Sequence, residues 1–189
     1  DFTNLLPGEY FYLNNNKLIF DKYFEYIVDE INNDDESKLI EDLYFLTANI
    51  FSKTIKSVGN KQVVVPLSAG LDSRLVISFL KAMGCSNLLS YSYGLKNTFE
   101  YEAALSISQK LDVQHKNLTL NYHDERKYYE SYNFKKFLSY SENICAFPHI
   151  QGISALEKLH FKKLINPNAI FINGNSGDYI SGGHIPKSA

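Results

Sequence analysis

Apolar and polar positions along the chain fall into short alternating blocks. Val63-Val64-Val65 is a run of β-branched residues ended by Pro66 and a cluster of small residues. That pattern predicts a strand buried on both faces. After the tight Ser68-Ala69-Gly70 turn, Leu75, Val76, Phe79, Leu80 and Met83 recur at helical spacing and predict one apolar helix face. Leu88 to Tyr93 (LLSYSY) reads as a second strand closed by Gly94, and Phe99 to Leu111 as a helix with Ala103, Ala104, Ile107 and Leu111 inward. Residues 112–118 give a turn and a third strand, and Ala169 to Ile172 a fourth buried strand. Tyr122 to Ser141, dense in Tyr, Lys and Glu, is expected as a half-exposed helix. Residues 143–151 read as a loop before a helix reaching about Lys163. Phe147-Pro148-His149 would open that helix, since proline is tolerated in a first turn.

Ahead of this core the pattern is different. Leu6 to Leu13 and Lys17 to Phe20 read as two short β segments joined by the Asn14-Asn15-Asn16 turn. An acidic, polar linker, Asn32 to Ser37, leads into a helix capped by Asp35 or Ser37 and running to about Ser57. Leu39, Leu43, Leu46, Ile50 and Ile55 lie near one face of it, and Gly59-Asn60 stops it.

Composition narrows the class. The 189 residues are 44% hydrophobic and 21% charged, which describes a soluble globular chain large enough for one substantial core. A net charge of −2 with no basic tract argues against a nucleic-acid surface. No apolar run approaches the ~20 residues of a membrane span, and the start Asp1-Phe2-Thr3 is not a signal peptide. Cys85 and Cys145 lack C-x-x-C or Cys/His spacing and read as reduced thiols, so a cytoplasmic protein is expected.

Chemistry concentrates after the first buried strand. A helix opening on a small-residue turn offers N–H groups without internal partners and roughly +0.5 charge, so an anion fits there. Gly70 lets backbone approach a phosphate closely, and Ser68 and Ser73 add hydroxyl donors. The segment is neither a Walker A loop, since no lysine follows, nor G-x-G-x-x-G. An ordinary capped strand–helix connection, with Asp72 or Ser73 as cap, would also write such a segment.

Pro66-Leu67-Ser68-Ala69-Gly70-Leu71-Asp72-Ser73 resembles the S-G-G-x-D-S signature of the PP-loop ATP pyrophosphatases, and most closely their asparagine synthetase branch. Asn173-Gly174-Asn175-Ser176-Gly177-Asp178 and the following Tyr179 to His184 resemble the S-G-E-G-x-D-E-x-x-G-G-Y that asparagine synthetases carry after a corresponding strand. Gly174, Asp178, Gly182 and Gly183 match without a gap. The resemblance implies an α/β, doubly wound parallel sheet of adenine-nucleotide α-hydrolase type, with residues 31–189 an incomplete synthetase domain. It implies that residues 1–30 end an amino-terminal glutaminase-like domain; an edge hairpin is the other reading.

The chemistry so implied runs through ATP and Mg²⁺. A carboxylate, from aspartate or a related small molecule, is activated as an acyl-adenylate with release of pyrophosphate, and ammonia from a glutaminase domain or partner then displaces AMP. Asp72, Ser73 and Asp178 are the implied catalytic set, with Asp72 and Asp178 opposing each other as metal ligands. Leu67, Ser68, Ala69, Gly70, Tyr93, Asn173 and Gly174 would hold the nucleotide, Tyr93 through its backbone. Glu100 is a further metal or substrate candidate, although the helix dipole alone favours a carboxylate there. Glu142, His149 and Gln151 are candidates to face the acceptor, and His115 is read as structural. Neither a nucleic acid nor a membrane is expected as partner, and a homodimer is a candidate assembly.

Several residues depart from the family pattern. Ala69 replaces a glycine, Arg74 stands where a small hydroxyl residue is usual, and Tyr179 replaces a glutamate. These keep two alternatives in view: a non-catalytic nucleotide-binding scaffold, or a tailoring amidotransferase acting on a polysaccharide or peptide precursor.

Overall fold

A computed structural model describes residues 5–25, 34–141, 150–175 and 177. The chain divides into two compact units, Asp1–Leu43 and Tyr44–Ala189. In the first, β1 (Glu9–Asn14) and β2 (Lys17–Lys22) form an antiparallel hairpin with Phe11 opposite Phe20 and Leu13 opposite Leu18. Asn15 and Asn16 both take positive φ, 48° and 60°, which is the twist a two-residue hairpin turn requires. Helix α1 (Glu36–Val58) begins in this unit, where Asp35 Oδ2 accepts from Ser37 N at 3.2 Å, and runs on into the second.

The second unit is built on a four-stranded parallel sheet of β3 (Val63–Pro66), β4 (Leu88–Gly94), β5 (Gln114–Thr119) and β6 (Ile170–Phe171), in the order β5-β4-β3-β6. Val63, Val64 and Val65 are each 0% exposed, as a run apolar at every position requires of a central strand. The chain steps from β3 outward to β5, then returns to add β6 on the other side. The order therefore reverses between β3 and β6, and a crevice opens there outside the carboxyl ends of the strands.

Both faces of the sheet are covered. Val63, Val65 and Leu67 pack with Phe51 of α1, with Val76, Ile77 and Leu80 of α2 (Leu71–Ala82), and with Ala104 of α3 (Phe99–Lys110). On the opposite face Val64, Leu89, Tyr91 and Leu118 pack with Ala155 and Leu159 of α6 (Ile153–Phe161). Parity makes this division, because successive strand residues point to opposite faces. The result is the α/β arrangement with a parallel sheet and helices on both faces that the sequence leads one to expect.

The differences from expectation are local. The core-facing stripe of α2 is Ser73, Val76, Ile77 and Leu80, an i, i+3, i+4, i+7 set, and Leu75 is turned out. Within α1, Phe51 is buried and Ile55 and Val58 pack on the core, whereas Leu39, Leu43, Leu46 and Ile50 are exposed. Tyr122 to Ser141 is two helices, α4 (Tyr122–Tyr129) and α5 (Tyr132–Tyr140). Ser131 caps the second, its hydroxyl accepting from Phe134 N, and so ends one helix and starts the next. Helix α6 begins only at Ile153, after Gly152 at φ +82°, and the expected opening at residues 147–149 lies outside the described residues. Strand β6 is short and lies at the end of the described sheet, with Phe171 42% exposed rather than buried.

Candidate nucleotide-binding cleft

A cleft of about 530 Å³ lies at the carboxyl ends of β3, β4 and β5 and against the segment that follows β6. Of the residues expected to bind ligand, Leu67, Ser68, Gly70, Asp72, Ser73, Tyr93, Asn173 and Gly174 line it. Glu100 and Gln151, the weaker candidates, line it too. Ala69 is half-buried in the loop without lining the cleft. Asp178, Glu142 and His149 lie outside the described residues, as do Tyr179, Gly182, Gly183 and Cys145.

The loop after β3 is held from beneath by Ser73. Its hydroxyl accepts from Ser68 N at 3.1 Å, lies 3.0 Å from Ser68 Oγ and 3.3 Å from Gly70 O. Ser73 shares the buried stripe of α2 and also lines the cleft, and its side chain fastens the loop. The N-cap of α2 is Gly70, with no side-chain cap bond, which leaves the first-turn N–H groups free of a capping side chain. Ser68 Oγ accepts from Gly70 N at 3.1 Å, and Arg74 Nε donates to Gly70 O at 3.2 Å. Arg74, placed where a small hydroxyl is usual, thereby ties the loop to the first turn of its helix. Leu67 is buried, and its N–H already donates to Tyr91 O at 2.8 Å.

The second loop meets the first with no room to spare. A Cβ on Gly174 would stand 2.8 Å from Asp72 C and Ser73 N, and one on Gly177 would overlap the Asp72 carboxyl carbon and both its oxygens. Asp72 therefore points at the backbone of the loop after β6, across the crevice between β3 and β6. Gly177 is a residue that the motif comparison passed over, because its family position is unspecified. The Asp72 carboxylate makes it a glycine.

The far wall of the cleft is aromatic and polar. The Tyr93 ring lies over Gly152, where a Cβ would approach Tyr93 Oη to 2.8 Å. Burial raises the Tyr93 pKa, and the Glu100 and Glu125 carboxylates add to the effect. Beneath it, Tyr91 is pushed up to about 12 by burial, with Tyr93 contributing. Beside these, Ser92 and Asn117 line the cleft and belong to a chain of hydrogen bonds that the sequence reading missed. Ser90 Oγ lies 2.8 Å from His115 Nδ1; His115 Nε2 lies 3.2 Å from Ser92 Oγ and 3.1 Å from Asn117 Oδ1; and Ser92 Oγ donates to Asn117 Oδ1. Burial lowers the His115 pKa, partly offset by the bond to Asn117. The signal for this cluster was in the sequence: Ser90 and Ser92 alternate with tyrosines, as His115 and Asn117 do with Lys116, so the polar positions share one face.

No group of three or more His, Cys, Asp or Glu side chains that could hold a metal ion occurs among the described residues. Nor does any described helix have the length and apolarity to cross a membrane.

Comparison with known proteins agrees with this geometry in its middle part. Residues 62–131, from the entry to β3 through α4 and into the α4–α5 junction, match the family model of queuosine biosynthesis protein QueC, a PP-loop ATP pyrophosphatase. The matched segment is less than half of the chain. No curated protein matches the sequence. Among solved structures, the chain is similar to the NH₃-dependent NAD synthetase of Campylobacter jejuni (20% identity, TM-score 0.47, 79% of this chain and 61% of that one). It is also similar to the U34-tRNA thiolase NcsA of Methanococcus maripaludis, solved with its 4Fe–4S cluster (18% identity, TM-score 0.46, 80% and 53%). The chain thus spans about half to three-fifths of the length of these proteins. Neither the match nor the neighbours single out asparagine synthetase. The parallel sheet, the loop after β3 and the QueC match support an α/β fold of the PP-loop type.

Proposed function

We propose that this protein is an ATP-dependent, amide-forming ligase of asparagine synthetase type. One observation carries the reading. The Ser68–Ser73 anion loop and the Asn173–Gly177 loop meet at the reversal between β3 and β6, with the Asp72 carboxylate aimed from one at the other.

In this reading the pyrophosphate of ATP takes the free N–H groups of the first turn of α2, together with Ser68. Mg²⁺ enters with the nucleotide, since an ion that keeps its waters and binds phosphate oxygens asks one or two carboxylates of the protein. Asp72 fits that role by position, and Asp178 is the proposed second ligand. Held there, the ion would supply neutralisation of phosphate charge. Leu67, Ala69, Gly70, Tyr93, Asn173 and Gly174 complete the nucleotide site, mainly through backbone groups. Ser73 is assigned to holding the loop.

The substrate carboxylate is a poor electrophile. One of its oxygens attacks the α-phosphorus; the bond from that phosphorus to the bridging oxygen breaks, and pyrophosphate leaves with the electron pair. Ammonia then attacks the acyl carbon, the acyl–oxygen bond breaks, AMP departs, and a proton is released to solvent. The protein's share is alignment and charge stabilisation. The acceptor is proposed as a small-molecule carboxylate such as aspartate, with the nitrogen from a glutaminase domain or partner. A larger polysaccharide or peptide acceptor would use the same steps.

The test is product identity. The complete polypeptide is incubated with Mg–ATP, ammonium and aspartate or other carboxylates, and the nucleotide product is identified. AMP, pyrophosphate and an amide are expected, and Asp72→Ala abolishes them. Release of ADP and phosphate would refute the reading. ATP binding without AMP for any acceptor would favour a non-catalytic scaffold.

A further inference from the structure

The hydrogen bonds around His115 fix the direction in which Asn117 faces. Asn117 Oδ1 can only accept, so the bond at 3.1 Å requires His115 Nε2 to carry a proton. In the neutral ring Nδ1 is then an acceptor, and it takes the hydroxyl proton of Ser90 at 2.8 Å. Ser92 also donates to Asn117 Oδ1. All the polar neighbours of Asn117 therefore converge on its oxygen. Its amide nitrogen has no bond among the described residues, yet no buried side-chain nitrogen or oxygen there lacks a partner. The Nδ2 group must consequently reach open volume, and Asn117 lines the cleft.

The place is distant from the anion loop. Asn117 is on β5, two strands across from β3, which at the usual spacing is roughly 10 Å. That is the reach of a ribose and a base beyond a phosphate seated at the loop. Leu95 and Tyr101 line the same cleft, and Tyr101 supplies flat apolar surface of the kind that holds a planar ring, whereas Tyr93 and Leu118 point to the opposite face of the sheet from Asn117. Glu100 lines it as well and disfavours a second carboxylate there.

We propose that Asn117 reads the nucleobase, its amide turned by His115 and Ser92 so that an N–H donor faces an acceptor atom of the ring. This rests on the cleft being a nucleotide site, as argued above. Asn117 touches the ligand; His115 and Ser92 are positioning residues.

The test compares ATP with inorganic pyrophosphate, which has no base, on the complete polypeptide by titration calorimetry. Asn117→Asp keeps an oxygen for Ser92 and His115 and replaces the donor pair by an acceptor. Asn117→Ala removes the donor without adding charge. Both variants are expected to bind ATP about tenfold more weakly or worse, and Asn117→Ala to bind pyrophosphate as the wild type does. The side-chain amide resonances of Asn117 shift on addition of ATP and not of pyrophosphate. Ser92→Ala and His115→Gln weaken ATP less, and they alter those resonances before any ligand is added. Unchanged ATP affinity in both Asn117 variants overturns the proposal, as does an equal loss for pyrophosphate. A loss confined to a carboxylate acceptor would assign Asn117 to the second substrate instead. Absence of ATP binding by the wild type would overturn the nucleotide reading itself, and this inference with it.

Discussion

Two glycines and a serine carry most of the geometry of the cleft. Gly177 has space for no side chain because the Asp72 carboxylate occupies it. Gly177→Ala is therefore predicted to weaken Mg–ATP at least tenfold in calorimetry while shifting the thermal midpoint little, since the contact belongs to the loops and not to the core. Unaltered affinity would detach the Asp72–Gly177 approach from ligand binding. Ser73→Ala removes the acceptor of Ser68 N and leaves the loop unfastened, at a cost of ~1–2 kcal/mol in denaturant unfolding. His115 gives a pH dependence whose sign is fixed. Its folded pKa lies below the ordinary 6.5, so the unfolded chain takes up the proton first as pH falls. Its contribution is complete above that range and is lost as pH is lowered through it, by at most ~1.4 kcal/mol per pH unit for one proton. His115→Gln should flatten the stability profile there. Asp124, held below the ordinary carboxylate value chiefly by its bond to Lys158, acts only at lower pH.

At the scale of elements, the strand–loop–helix unit β3–α2 positions the cleft, and Leu80 is one of its anchors in the core. Leu80 is fully buried in the core beneath the sheet, and Leu80→Ala should cost ~2–5 kcal/mol of unfolding free energy. Gly152→Ala places a side chain at φ +82° and against the Tyr93 ring, a strain of ~1–3 kcal/mol at the start of α6. The same elements explain what could be read in advance. Val63 to Val65 announce a central strand by composition alone, and the small-residue turn after it announces the loop that lines the cleft. Periodicity placed α2 but misjudged its stripe, since Leu75 is as apolar as Ile77 and only the sheet decides which faces inward. The Ser131 cap was legible in principle, but the run of Tyr, Lys and Glu around it carries no apolar period to break. Gly177 was not legible, because it is defined by a neighbour from another loop; the shared face of His115 and Asn117 was legible, but its pairing with Ser90 and Ser92 depends on the register of β4 and β5.

For the molecule as a whole, the reversal of strand order between β3 and β6 puts two sequence-distant loops at one crevice. That topology, more than any single residue, argues for a nucleotide with its phosphates at α2 and its base toward β5. Burial on both faces leaves the carboxyl edge of the sheet as the open polar surface onto which the loops converge. The measurement that bears most directly on this account is the binding of Mg–ATP to the complete polypeptide, wild type beside Asp72→Ala, with pyrophosphate as competitor. The account predicts saturable binding, displacement by pyrophosphate, and at least a tenfold loss in the variant. Saturable ATP binding that pyrophosphate does not displace and that Asp72→Ala leaves intact, or no binding at all, would contradict it.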